Sequence, residues 1–423
     1  MRSICGLGRL SPRAVIARLV KSDSLRSAIG FAAGGAGFAA GNILLAKVLS
    51  PEGFGVVALV LALNQIGVTF GPFGLEIVAN RHRPRVGRRL GLLALAFATA
   101  TGIVAAVIAF FYYGLATGIA ALLLPMVMGS ATGRVCSALF QGERRFRFAM
   151  ILSQASNYIL LFVACVALGS SLTSDSFVLI FMAAGYVVAS GLGWLVAYRT
   201  VNNERREIQF NVAFSEGAAA LGIGVGVEIL SQFERLAIPK VGSVAMLGTY
   251  AVLAAVAGSP FRMIRIATSF SLLPRLRAVA SAAEARAVIA RESLTALLMA
   301  AASTIVIVLV APLVFNTLLK GKYEIGLSLI GATIVVGLAK IWESFSTSVT
   351  MACGTPPSMV IISVLAWICL AIAAGAMVIG ARYGLLGILY SVGSAWVLLA
   401  AGGSYLAVVS LRRRFPSPPA SAG

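Results

Sequence analysis

Apolar stretches of about twenty residues, broken by short polar segments, recur along the whole chain. Each is long enough to cross a bilayer as a helix. The pattern predicts spans over 25–47, 53–79, 90–112, 115–135, 148–168 and 177–198. Six more are predicted over 215–240, 246–272, 293–318, 326–352, 357–380 and 384–410. The expected fold is therefore all-α, a polytopic membrane protein of about twelve transmembrane helices. Ahead of them, Ser11-Pro12 reads as an N-cap with Pro at N1. Val15, Ile16, Leu19 and Val20 then face away from Arg13, Arg18 and Lys21, as in a short amphipathic helix on a membrane surface. No compact apolar core ending in a small-residue cleavage site is present, so this segment does not read as a signal peptide.

The polar breaks carry the charge, and they carry it unevenly. Among the lysines and arginines outside the spans, twenty-four fall on the even-numbered side and five, Lys47, Lys240, Lys320, Lys322 and Arg382, on the other. By the positive-inside rule both termini then lie in the cytoplasm of a bacterial inner (plasma) membrane. The alternation holds for twelve spans and fails for eleven or thirteen. The break at 353–356 is uncharged and does not vote. The chain's net charge of +20 would otherwise suggest nucleic acid. A nucleic-acid binder gathers its cations on one soluble face, however, and these are spread over alternate loops.

Composition narrows the picture further. Of 423 residues, 59% are hydrophobic and only 11% charged, about half the charge of an ordinary soluble domain. No soluble catalytic domain fits beside twelve spans, and no cofactor is implied. Cys5, Cys136, Cys165, Cys353 and Cys369 are scattered and read as small apolar fillers. The single His82 lies in a basic loop and does not make a metal site, which needs several ligands together.

An internal repeat divides the chain. Residues 46–62 (AKVLSPEGFGVVALVLA) align without gaps on 239–255 (PKVGSVAMLGTYAVLAA). Lys47 meets Lys240, Ser50 meets Ser243 and Gly55 meets Gly248, each pair at the turn between the first and second span of its half. Six spans per half give both halves the same orientation, so they are parallel repeats about an axis along the membrane normal. The expected organisation is a cytoplasmic segment 1–24, a six-helix lobe 25–200, a cytoplasmic linker 201–214, a second six-helix lobe 215–411 and a disordered tail 412–423. Transporters with this plan hold their substrate between the lobes and rock one against the other.

Charges inside the spans mark the candidate site, because a lone charge there costs at least about 2.5–3.5 kcal/mol. Lys340 lies midway along its span, with Glu343 at i+3 as the expected neighbour. Its two readings are a cationic substrate contact and a self-neutralising pair. Glu228 and Glu234 are candidates for coupling or charge pairing, and Glu228 equally suits an interhelical hydrogen bond. Arg235 needs a partner of its own. Arg262 and Arg265 follow Gly258-Ser259-Pro260, an expected helix break, and suit a phosphate group or snorkelling to the interface. Glu76 is expected to pair locally with the basic loop at 81–89, and Arg134 to snorkel.

Several motifs resemble one family. Leu49-Ser50-Pro51-Glu52-Gly53-Phe54-Gly55, Gln141-Gly142-Glu143-Arg144-Arg145-Phe146, Phe233-Glu234-Arg235, Leu247-Gly248-Thr249-Tyr250 and Leu273-Pro274-Arg275 follow the order and spacing of the polysaccharide flippases. These belong to the multidrug/oligosaccharidyl-lipid/polysaccharide exporter superfamily. The resemblance covers most of the chain and departs from the pattern in having Glu234 where aspartate is usual. It implies two six-helix lobes around a central cavity and alternating access. It implies a polyprenyl-pyrophosphate-linked oligosaccharide as substrate, an H+ or Na+ gradient, and membrane lipids and other polysaccharide assembly proteins as partners. Lys340, Arg235, Arg262 and Arg265 would form the cationic cavity, with Glu228, Glu234 and Glu343 as coupling or charge-pair groups. A cation or drug antiporter of the same superfamily is an alternative. A membrane-embedded polysaccharide polymerase or lipid-using glycosyltransferase is a weaker one, because the outer loops are too short to hold a catalytic site. A peptidoglycan-precursor flippase would be expected to have fourteen spans.

Overall fold

The computed structural model describes residues 23–170, 174–201 and 210–415. The expected surface helix before residue 23 and the tail from 416 lie outside these, as does most of the linker. Among the described residues, twelve helical segments have the length to cross a membrane. The first lobe holds α1 (Asp23–Val48), α2 (Pro51–Phe70), α3 (Arg88–Tyr112), α4 (Thr117–Gly142), α5 (Phe146–Ser170) and α6 (Asp175–Thr200). The second holds α7 (Phe210–Val241), α8 (Val244–Ala278), α9 (Ala282–Leu318), α10 (Leu327–Cys353), α11 (Pro356–Gly380) and α12 (Gly384–Arg414).

Several boundaries differ from the sequence reading, three of them at charged or glycine-rich segments. The second span ends at Phe70, not 79. Gly71-Pro72-Phe73-Gly74 breaks it, with Gly74 in the left-handed region at φ 73°, and a separate short helix, Leu75–His82, follows. The ninth helix starts at Ala282, so Arg286 and Arg291 sit on its extension and not in a loop. The last helix reaches Arg414, past the expected boundary at 411. The break expected at Gly258-Ser259-Pro260 takes the form of a π-turn over 254–258, and the helix resumes at Ser259. Such a turn accommodates the N–H that proline lacks.

Buried apolar side chains show how the lobes meet. One cluster runs through both lobes, joining Leu45, Leu49, Phe54 and Leu63 to Leu230, Leu247, Leu253 and Phe261. Toward the arginine-rich face each lobe has its own core. One gathers Leu75, Val78, Leu90 and Phe140, the other Leu272, Leu276 and Val349. The lobes are therefore fused at one face of the membrane and parted at the arginine-rich face. Large apolar side chains such as Phe111, Phe162, Leu297 and Leu309 cover the perimeter, where lipid tails are the natural solvent.

Candidate functional site: a cavity between the lobes

The parting of the lobes leaves a cavity of about 1530 Å³. Its rim lies among Arg81, Arg134, Arg275 and Glu292, at the arginine-rich ends of the helices. Two carboxylates are paired within their own lobes there. Glu76 meets Arg134 at 3.6 Å, and Glu292 holds Arg275 while accepting from Ser271. Arg134 is thus drawn to a partner as well as to the interface. Burial pushes the Glu76 carboxyl above its ordinary range, and Arg134 only partly opposes this.

Deeper in, the α7–α8 wall carries Arg235 and Arg262. Their guanidiniums lie 6.0 and 4.8 Å from the centre of the Phe38 ring on α1. Arg235 also donates to Gln232. Among the described residues neither arginine forms an ion pair, and Glu228 acts on Arg262 only through its field. Both guanidiniums face one ring, and arginines without an ion-pair partner have the chemistry to receive a multivalent anion.

The other expected cavity cations sit elsewhere. Lys340 donates to Glu234 across helices at 2.7 Å, and Arg265 meets Glu343 at 3.5 Å. Neither Lys340 nor Arg265 lines the cavity. Both cations lie 5.2 Å from the ring of the buried Trp396. This corrects the expected i+3 neighbour: Glu343 serves Arg265 and Thr347, and Lys340 serves Glu234. The physical reason is burial. Glu234 is 1% exposed and Glu343 2%, so each takes a cation of its own from another helix. The seven expected site residues therefore divide into a cavity pair, Arg235 and Arg262, and an internal network of Glu234, Lys340, Arg265 and Glu343, with Glu228 near the former.

Sequence reasoning did not single out the uncharged wall opposite. Asn64 and Gln65 of α2, Ser130 of α4, and Gln154 and Asn157 of α5 line the cavity there. A polar residue once per turn inside an otherwise apolar span was the available signal.

The far end of the cavity is closed. Ser50 caps α2 and Ser243 caps α8, each accepting from the amide three residues on at 3.0 Å. The two helix starts cross there. A Cβ on Gly55 would stand 2.0 Å from the carbonyl oxygen of Val244, and one on Gly248 2.1 Å from that of Pro51. The repeat's matched glycines thus lie at one crossing, each in contact with the other's helix. Around it, Lys322 donates to the Leu49 carbonyl and to that of Ala46, and the Tyr323 hydroxyl donates to Ala46 at 3.1 Å. Tyr113 donates to Leu236 at 2.9 Å, a further bond from one lobe to the other. Burial lowers the Lys322 ammonium from its ordinary value and raises the Tyr323 phenol. Among the described residues no cluster of three or more metal-ligating side chains occurs.

Solved structures share this architecture. An inward-facing multidrug resistance MATE transporter of the MOP superfamily superposes with a TM-score of 0.63 at 14% identity, covering 91% of this chain and 98% of the other. The lipid II flippase MurJ in an inward closed conformation gives 0.62 at 11% identity, covering 93% and 88%. The MATE multidrug transporter DinF-BH in complex with R6G gives 0.59 at 15%, covering 96% and 97%. At these identities the likeness is one of fold. No curated protein sequence matches significantly. The polysaccharide biosynthesis protein family model matches residues 44–328, which take in both halves of the repeat, the crossing and both cavity arginines, and the chain belongs to that family.

Proposed function

We propose that this protein flips a polyprenyl-pyrophosphate-linked oligosaccharide from the cytoplasmic to the outer leaflet, for export of a cell-surface polysaccharide. The observation that carries the reading is the pair of arginines without ion-pair partners, Arg235 and Arg262, on the wall of a large cavity between two lobes. A diphosphate brings the charge these cations lack, and the cavity is wide enough for sugars beside it. The arginine-rich face is then cytoplasmic, as are both termini, and the cavity is caught open toward the side where lipid-linked sugars are assembled. An H+ or Na+ gradient drives the return of the lobes, and the protein works with lipids and other assembly proteins without making or breaking covalent bonds. The antiporter reading is less well supported, because the two deep carboxylates it would use for a cation, Glu234 and Glu343, are already matched by Lys340 and Arg265.

Deletion of the gene tests the proposal. Cytoplasm-facing lipid-linked oligosaccharide accumulates, and wild-type protein clears it. Arg262→Ala, present at normal membrane abundance, does not. Unchanged glycan together with altered drug tolerance in the deletion strain would support the antiporter.

A further inference from the structure

The two walls of the cavity differ in chemistry. One holds Arg235 and Arg262; the other holds only carboxamides and hydroxyls at the same depth. Asn64 begins fourteenth in α2 counted from the closed face, and Asn157 lies fourteenth from the end of α5 at that face. At about 1.5 Å per residue both sit roughly 20 Å from that face. The backbones of Arg235 and Arg262, counted along α7 and α8 in the same way, lie roughly 9 and 27 Å from it, and their side chains converge on the Phe38 ring of α1, whose backbone lies roughly 15 Å from it. The uncharged strip lies at about the depth where the two guanidiniums meet the Phe38 ring.

These side chains are buried polar groups with capacity to spare. Asn64 is 4% exposed and Gln154 8%. They satisfy one another in part: Asn157 donates to Gln154 at 2.8 Å, and the Ser130 hydroxyl lies 3.0 Å from the Asn64 carbonyl. Among the described residues the Asn64 amide nitrogen, the Gln65 carboxamide, the Gln154 amide nitrogen and the Asn157 carbonyl make no hydrogen bond to protein. A polar group at this depth needs a partner, and the cavity is where it can find one. Carboxamides offer a donor and an acceptor in one plane, the arrangement that matches neighbouring hydroxyls on a sugar ring. The strip contains no ammonium, guanidinium or carboxylate, so a charged sugar would lose its hydration there without compensation.

We propose that Asn64, Gln65, Ser130, Gln154 and Asn157 form a glycan subsite that takes a neutral, hydroxyl-rich sugar linked to the diphosphate on Arg235 and Arg262. This rests on the flippase reading and adds to it a division of labour. The α7–α8 wall binds the diphosphate of any such lipid, and the α2–α4–α5 wall selects the sugar.

Binding to the purified full-length protein in nanodiscs tests this, with three probes. They are a polyprenyl diphosphate without sugar, the same lipid bearing an N-acetylhexosamine, and the same lipid bearing a uronic acid. Wild type binds the neutral glycolipid about tenfold more tightly than the bare diphosphate lipid, the worth of two net hydrogen bonds. Gln65→Leu with Asn157→Leu removes that increment and leaves the bare lipid within twofold. Gln65→Ser with Asn157→Ser keeps a polar wall for folding and carries the same expectation. Arg262→Ala weakens both lipids alike. Equal wild-type binding of the bare and neutral-sugar lipids, tighter binding of the uronic acid, or a parallel loss of both lipids in the paired variants would each overturn the subsite while leaving the flippase reading in place. Failure of wild type to bind any of the three would overturn both.

Discussion

Glu234 is the most deeply placed acidic group with an assigned partner, and its ion pair with Lys340 ties α7 to α10. A carboxylate at this depth must be compensated, so removing Lys340 alone leaves an uncovered charge, a loss of about 3–5 kcal/mol for a fully buried pair. Lys340 keeps 21% of its side chain exposed, which places the expected loss near the lower end. Lys340→Ala should therefore melt several degrees below wild type in a detergent thermal-shift assay, and Lys340→Met with Glu234→Leu should recover most of the difference. A single variant as stable as wild type would show that solvent already screens the pair. Arg265 and Glu343 repeat the arrangement one step away across Trp396. The need for compensation inside the bilayer was legible in the sequence, since an ionisable residue in an apolar span announces itself. The pairing was not. Helical spacing makes Glu343 the nearest neighbour of Lys340 along the chain, but it says nothing of which carboxylates the other helices bring in. For Arg262 the expectation concerns geometry as well as charge. Arg262→Lys keeps the cation but loses the planar fork, and should bind a diphosphate lipid more weakly than wild type by about tenfold in the same nanodisc assay.

At the scale of the element, the start of α2 and the start of α8 do the same job twice. Each is opened by a serine cap and each offers a glycine where the other's backbone passes. Gly248→Val places a side chain into the Pro51 carbonyl and should force the crossing open. A cysteine placed at Gln65, in a background without native cysteines, then becomes reactive to a membrane-impermeant maleimide added from outside. Wild-type Gly248 keeps it unreactive from that side. Lys322→Met removes the donor to the Leu49 and Ala46 carbonyls and should raise the same labelling by a smaller amount. The repeat alignment already placed Ser50 with Ser243 and Gly55 with Gly248, so the matched roles of these residues were readable from the chain. That each glycine packs on the other's helix was not, because an alignment relates positions without saying where the symmetry axis passes. The missed end of the second span has a local cause. Hydrophobicity continues past Phe70 through Phe73, Leu75 and Ile77, and only the Gly-Pro-Phe-Gly turn ends the helix.

For the whole molecule, the distribution of apolar cores decides which motion is available. The lobes share one core beside the crossing and hold separate cores at the arginine-rich face. In the proposed cycle each inner core moves with its own lobe, so closing the cavity leaves those contacts intact. Opening the other side must break the shared core and the bonds of Lys322, Tyr323 and Tyr113 between segments. The cost of the proposed cycle is therefore concentrated at the crossing, and in it the rim pairs Glu76–Arg134 and Glu292–Arg275, each within one lobe, present like-built charged surfaces that come together. Locking the crossing should then stop transport without emptying the site. Cysteines at Ala46 and Tyr323, whose backbone and hydroxyl already touch, joined by a short bifunctional maleimide, should abolish export of the lipid-linked glycan in vesicles. The Gln65 position should stay reactive from the arginine-rich side, and binding of a diphosphate lipid should persist within twofold. Export that continues after complete cross-linking would mean that the lobes do not part at this crossing, and the substrate would need another way out.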